Sequence, residues 1–293
     1  MREVDDALSR AYAQRGAASP PSGVPPTPHW SSQTPEHEAT FPPSGSEPRS
    51  ARTASAGGRT VTLHRPGESG GEPARPNQSI DPEAIQELQW PGIVLVLERE
   101  WSHRFEQMAD RLIESRDRQN IKVLLFTSCH RAEGRTTLVL TLARALARRP
   151  GRTVLVDADL TGPMLSHALG LHPEFGLDDV VTAGHALAEA LIHAPDDHLW
   201  ILPLRVAAAS PREFLASPGW SCTMARLRRD FDLVLVDGSP IFTGLSAAVL
   251  HRSVDAAVLV HNRSMTGERS LLRAREVLDA GGIPLLGLAE TFV

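Results

Sequence analysis

The chain has 293 residues and a formal net charge of −5, enough length for one sizeable α/β domain with extra segments or for two small domains, and no electrostatic footprint for nucleic acid. Two cysteines, Cys129 and Cys222, imply no disulfide framework and fit a reducing cytoplasm. No apolar run of about 20 residues is present to span a membrane, and Met1-Arg2-Glu3-Val4-Asp5-Asp6 is too acidic and polar for a secretory signal, so a cytoplasmic protein is expected.

Residues 1–15 read as a short docking helix, with Val4, Leu8 and Tyr12 spaced to make one narrow apolar stripe. A helix this short is marginal alone, so the stripe needs a partner surface. Residues 16–80 hold about half of the 23 prolines, with Ser, Gly and Thr between them. Such a segment cannot sustain a ladder or bury a core, and it reads as a disordered linker. From residue 81 the pattern changes. Ile93, Leu97, Trp101, Phe105, Met108 and Leu112 predict one long amphipathic helix from 92 to near 120. Strands are expected at 122–127, 153–156, 199–203, 233–236, 256–261 and 284–288. Helices are expected at 136–149, 164–169, 185–193, 211–230 and 268–280. Short apolar strands without alternation, separated by helices, indicate an α/β fold with a mostly parallel sheet covered by helices on both faces.

Directly after the first strand comes Thr127-Ser128-Cys129-His130-Arg131-Ala132-Glu133-Gly134-Arg135-Thr136-Thr137, and then a helix. That context is the one a phosphate-binding P-loop requires. Backbone N–H groups of the loop and helix N-terminus converge on anionic phosphate. Residues Arg131, Ala132, Glu133, Gly134, Arg135, Thr136 and Thr137 are therefore the candidate cofactor-binding set. Gly134 admits close backbone approach, and Thr136 stands where a hydroxyl would ligate Mg²⁺. Arg135 occupies the usual lysine position, and a planar guanidinium does not imitate a compact ammonium between phosphates. Two later strands end in Val156-Asp157-Ala158-Asp159 and Val236-Asp237-Gly238. Carboxylates at the carboxyl ends of strands, where ligands bind in open α/β sheets, suit Mg²⁺ placement and nucleophile positioning.

Loop, paired aspartates and third aspartate, in this order, resemble the bacterial tyrosine autokinases and chain-length regulators of capsule and exopolysaccharide export, relatives of the MinD and ParA ATPases. The likeness runs from about residue 92 to 293. It takes in Gly176-Leu177-Asp178-Asp179-Val180-Val181 and Ala256-Ala257-Val258-Leu259-Val260, and Val4-Asp5-Asp6-Ala7-Leu8-Ser9-Arg10-Ala11 is similar to the family's opening segment. The resemblance implies ATP or ADP with Mg²⁺ on the loop. It implies metal placement by Asp157 and Asp237, and action of Asp159 towards the attacking hydroxyl. It also implies a membrane polysaccharide-export or co-polymerase partner for the first helix, a peripheral place at the inner membrane, and allows a homo-oligomer. The departures are Arg135 for lysine, Thr161 for the arginine after the paired aspartates, Glu290 for an asparagine near adenine, and His130 for the early MinD-type lysine. The helix at 92–118 lacks the family's oligomerisation pattern, and Tyr12 is the only tyrosine.

Cys129, His130 and Glu133 lack a second ligand pair at metal spacing, so a loop role is expected rather than zinc. Cys222 is expected to be buried, and Arg226, Arg228 and Arg229 to form a solvated helix face. Three functions compete: an ATP-binding tyrosine-kinase-like component of exopolysaccharide assembly, a nucleotide-gated pseudokinase scaffold without turnover, and a MinD- or ParA-type positioning ATPase. The missing terminal amphipathic helix and basic stripe weigh against the third. Arg135 and the missing tyrosines shift weight towards an impaired enzyme.

Overall fold

The computed structural model of the chain describes residues 84–243, 250 and 252–292; the helix expected over 1–15 and the linker over 16–80 lie outside them. The strands are β1 (Ala84–Ile85), β2 (Val123–Ser128), β3 (Thr153–Ala158), β4 (Ile192–Ala194), β5 (Leu199–Leu202), β6 (Leu233–Gly238), β7 (Ala256–Asn262) and β8 (Leu285–Thr291). They form one sheet in the order β1-β4-β5-β3-β6-β2-β7-β8, parallel throughout except where β4 meets β5. The helices are α1 (Gly92–Glu100), α2 (Ser102–Gln119), α3 (Arg135–Ala147), α4 (Leu165–Leu169), α5 (Leu187–Ala190), α6 (Pro211–Ala216), α7 (Pro218–Asp230) and α8 (Glu268–Ala280). A five-residue π-helical turn, Asp179–Ala183, precedes α5.

The central strands are apolar on both faces because both faces are covered. Val123, Leu125, Val154, Val156, Val234 and Val236 enter one buried cluster with Phe214, Trp220, Met224, Leu227, Ala274 and Leu278 from α6, α7 and α8. The alternate residues Leu124, Phe126, Leu155, Leu233 and Leu235 enter a second cluster with Val94, Phe105, Ala109, Leu112, Leu138 and Leu142 from α1, α2 and α3. This is the expected mostly parallel, doubly covered sheet of P-loop NTPase type.

Three local expectations are corrected. The long helix after residue 92 breaks at Trp101 (φ −121°, ψ 18°), and the bend keeps both Val94 and the Phe105–Ala109–Leu112 stripe in the cluster against α3. The expected helix over 185–193 shortens to α5, and β4 follows. Pro195 disfavours helical backbone at Ala194, while Ile192 and Ala194 gain burial between two strands. Cys222 is exposed, because Trp220, Thr223, Met224 and Leu227 take the inward face of α7 and position 222 falls opposite them.

Candidate functional site

The site lies at the carboxyl ends of β2, β3 and β6, which are adjacent in the sheet. Parallel register sets Asp157 directly beside Asp237, and Phe126 of β2 beside Asp237 on its other side. Two carboxylates that are remote in sequence therefore share one strand-end rim, next to the loop that leaves β2. All three aspartates are buried.

The loop runs from β2 into α3 through two left-handed residues, Ala132 (φ 61°) and Gly134 (φ 79°). No side chain caps α3, so its first-turn N–H groups are left to an anion or water. A Cβ on Gly134 would stand 3.2 Å from both the Phe292 ring and Thr291 Cγ2, so the chain after β8 lies against this turn. The loop is held from beneath by Glu133, which is buried. Its Oε2 accepts from the His130 amide at 2.7 Å, and its Oε1 accepts from the Asn262 amide at 3.2 Å and from the Thr266 hydroxyl. Thr291 Oγ1 donates to the Glu133 carbonyl at 2.7 Å. Burial and the neighbouring Glu133 charge push the Cys129 thiol up to about 11.

Arg135 turns inward. Its Nε donates to Asp237 Oδ1 at 2.7 Å, its Nη2 to Asp159 Oδ2 at 2.8 Å and its Nη1 to Ser128 Oγ at 3.1 Å. Burial acts to lower its pKa, but the Asp237 and Asp159 charges outweigh burial and raise it above the usual arginine value. Thr136 Oγ1 donates to Asp237 Oδ2 at 2.7 Å. Arg131, half exposed, reaches both Asp159 oxygens at 3.4 Å and Thr161 Oγ1 at 2.6 Å. Gly162 makes room for that guanidinium, since a Cβ there would come within 2.8 Å of it.

Asp157 accepts from the Asp159 amide at 3.1 Å through Oδ1, and from the Met164 and Leu165 amides at 3.1 and 3.0 Å through Oδ2. Burial pushes its carboxyl up to about 7; the Asp237 charge adds to the rise, and the N–H bonds from Leu165 and Asp159 oppose it.

The structure thus brings together Arg131, Glu133, Gly134, Arg135, Thr136, Asp157, Asp159 and Asp237. Ala132 shapes the turn, and Thr137 gives its carbonyl to the Thr141 hydroxyl. Glu290, expected near adenine, pairs with Arg263 at 3.3 Å. Sequence reasoning missed Ser128, Asn262, Thr266 and Thr291. For Asn262 and Thr266 the legible signal was a charged Glu133 in an otherwise anion-binding loop, which requires buried donors elsewhere; Ser128 and Thr291 bond to Arg135 and to the Glu133 backbone carbonyl, and carried no such signal.

An uncapped helix start behind a glycine turn fits a phosphate group. The donor set for a divalent cation fits less well. Each oxygen of Asp237 already accepts from Arg135 or Thr136, and both oxygens of Asp157 accept from backbone amides. In this arrangement the oxygens of Asp157 and Asp237, two of the three expected metal ligands, accept from protein donors, while Thr136 Oγ1 donates its proton to Asp237 and keeps its lone pairs.

Fold, loop and strand-end aspartates define a P-loop NTPase-like α/β domain. No protein-family model matches the chain. The chain is 27% identical over 169 residues to the tyrosine-protein kinase CpsD of Streptococcus pneumoniae, covering 57% of this chain and 74% of that protein. It is 29% identical over 171 residues to the tyrosine-protein kinase YwqD of Bacillus subtilis, covering 58% and 72%. The crystal structure of the VpsO kinase domain superposes with a TM-score of 0.59 at 25% identity, covering 67% of this chain and 98% of that one. The chain is thus similar, at modest identity, to bacterial tyrosine-protein kinases.

Proposed function

We propose that this chain binds a nucleoside di- or triphosphate as a tyrosine-kinase-like component of capsule or exopolysaccharide assembly, and that its turnover is impaired. The observation that carries the binding half is the glycine turn and uncapped α3 start standing beside three buried strand-end aspartates. The relatives' kinase activity supplies the biological setting. The impairment rests on Asp159. A carboxylate that is to act towards an attacking hydroxyl needs a free oxygen, yet Asp159 is held by Arg135, Arg131 and Thr161. A membrane partner for the first helix remains part of this reading; among the described residues no helix is long and apolar enough to cross a membrane.

The test is a calorimetric titration with ADP and ATP, followed by a turnover assay on the same sample. Micromolar to millimolar affinity is expected, roughly 4–8 kcal/mol. Hydrolysis and tyrosine phosphorylation are expected to be very slow. Arg135→Lys should keep binding and raise hydrolysis, and Asp159→Asn in that background should abolish the gain. Brisk turnover by the natural chain, lost on Arg135→Lys, would make arginine an adapted catalytic group and defeat the impairment. No binding signal at millimolar nucleotide would defeat the whole reading and leave a nucleotide-free scaffold.

A further inference from the structure

We infer that Arg135 takes the place of the divalent cation, so that this site recognises a nucleoside polyphosphate in its metal-free form. The inference rests on the nucleotide reading above and specifies its ligand. A magnesium ion demands near-octahedral oxygen donors at about 2.0–2.1 Å and loses water reluctantly. The side chains that would supply those donors are Thr136 and the strand-end aspartates. Asp237 gives one oxygen to Arg135 Nε at 2.7 Å and the other to the Thr136 hydroxyl at 2.7 Å. Asp159 gives Oδ2 to Arg135 Nη2 at 2.8 Å, while Oδ1 accepts from the Thr161 hydroxyl at 3.0 Å. Asp157 spends both oxygens on backbone amides.

One planar guanidinium therefore bridges Asp159 and Asp237 and also reaches Ser128 Oγ. It carries a permanent charge, since arginine does not deprotonate in proteins. Arg131 adds a second positive charge beside Asp159. The two carboxylates are thus compensated by two arginines without a cation. A dication brought to the same oxygens would have to expel a buried, charge-paired guanidinium and would be repelled by it. Polyphosphate arriving at the α3 start meets a site whose carboxylates are already neutralised, so it needs no metal to shield it from them. Magnesium chelated by the nucleotide in solution lowers the ligand's negative charge and brings a hydrated ion to a site where the Thr136 hydroxyl keeps its lone pairs but every oxygen of Asp157, Asp159 and Asp237 already accepts from a protein donor.

The experiment is calorimetric titration of the full chain with ADP and with ATP, once in EDTA and once in excess Mg²⁺, with thermal shift as a second readout. The natural chain should bind in EDTA with an affinity equal to that in Mg²⁺ within roughly threefold, or tighter. Arg135→Lys shortens the side chain and removes the fork that bridges the carboxylates; in that variant Mg²⁺ should tighten binding by about tenfold or more. Tightening of the natural chain's binding by about tenfold or more in Mg²⁺ would overturn the inference and leave the nucleotide reading intact, because it would mean Arg135 yields its carboxylates to the ion. Absence of heat and of thermal shift in both buffers would overturn both. The natural-chain comparison decides by itself if the variant fails to fold.

Discussion

At Ala132 the backbone φ is 61°, and two residues later Gly134 sits at 79°. A side chain in the left-handed region costs on the order of 1–2 kcal/mol, and glycine removes that cost at the expense of unfolded-state entropy. Ala132→Gly should therefore be neutral to about 1 kcal/mol stabilising. Gly134→Ala should destabilise by about 2 kcal/mol or more, because the same strain is joined by the 3.2 Å approach to Phe292 and Thr291. Urea unfolding of the two variants checks the opposite signs; equal effects would mean the loop tolerates either residue at both positions. Asp157 gives a pH prediction. Its folded pKa of about 7 lies above its ordinary value of 3.8, so the folded state holds its proton over that interval while the unfolded state has lost it. This contribution is fully present below about pH 4 and is lost as pH rises to about 7, with a slope of at most about 1.4 kcal/mol per pH unit. Asp157→Asn offers one acceptor oxygen to three amide donors, so it should be less stable than the natural chain at the acid end, with the gap narrowing towards neutrality. Parallel melting curves across that range measure it, and a constant gap would show that Asp157 titrates normally.

At the scale of elements, one carboxylate far from the site fastens three of them. Asp255 Oδ2 accepts from the Lys122 and Val123 amides at 2.8 Å each, where β2 begins, and Oδ1 pairs with Arg228 of α7. Asp255→Ala leaves two amides without their acceptor and Arg228 with the Ser253 carbonyl and water, so a loss of about 2–3 kcal/mol is expected. Arg228→Ala should add little in that background, a non-additivity that a double-mutant cycle reads directly. Nucleotide affinity should not change, since these residues sit at the amino ends of β2 and β7. A parallel drop in affinity would mean the sheet transmits strain to its other end. The strand positions were legible for the reason the sheet is stable: Val123, Leu124, Leu125 and Phe126 are all apolar because alternate residues enter different buried clusters. The aspartates at 157 and 237 were legible as strand endings, and register then set them side by side. The break at Trp101 and the short β4 were not legible, because each answers to a neighbour remote in sequence. The bend serves α3, and β4 is stabilised by pairing with β1 and β5. Arg135 was legible as a departure from lysine, but its inward fork required the positions of Asp159 and Asp237, residues 24 and 102 places away.

Across the whole molecule, the phosphate loop is joined to the far edge of the sheet. β8 is an edge strand, and it runs three residues past its expected end at 288 to finish at Thr291. There Thr291 Oγ1 lies 2.7 Å from the Glu133 carbonyl and 3.1 Å from the His261 carbonyl, and its methyl stands beside Gly134. Glu133 in turn holds the His130 and Asn262 amides, so one threonine links the loop, the end of β7 and the end of β8. Thr291→Val keeps the branched shape and the contact with Gly134 but removes the hydroxyl donor. One lost hydrogen bond at a half-buried place should lower stability by only about 1 kcal/mol. The effect on ligand binding should be larger in proportion, because the loop's amides bind phosphate only when they converge, and the Glu133 carbonyl would be free to turn. The expected result is a nucleotide affinity weakened roughly three- to tenfold, with the melting curve of the ligand-free protein nearly unchanged. Thr291→Ser, which keeps the donor, should restore affinity. Equal binding by natural chain and valine variant would show that the edge strand packs beside the loop without shaping it.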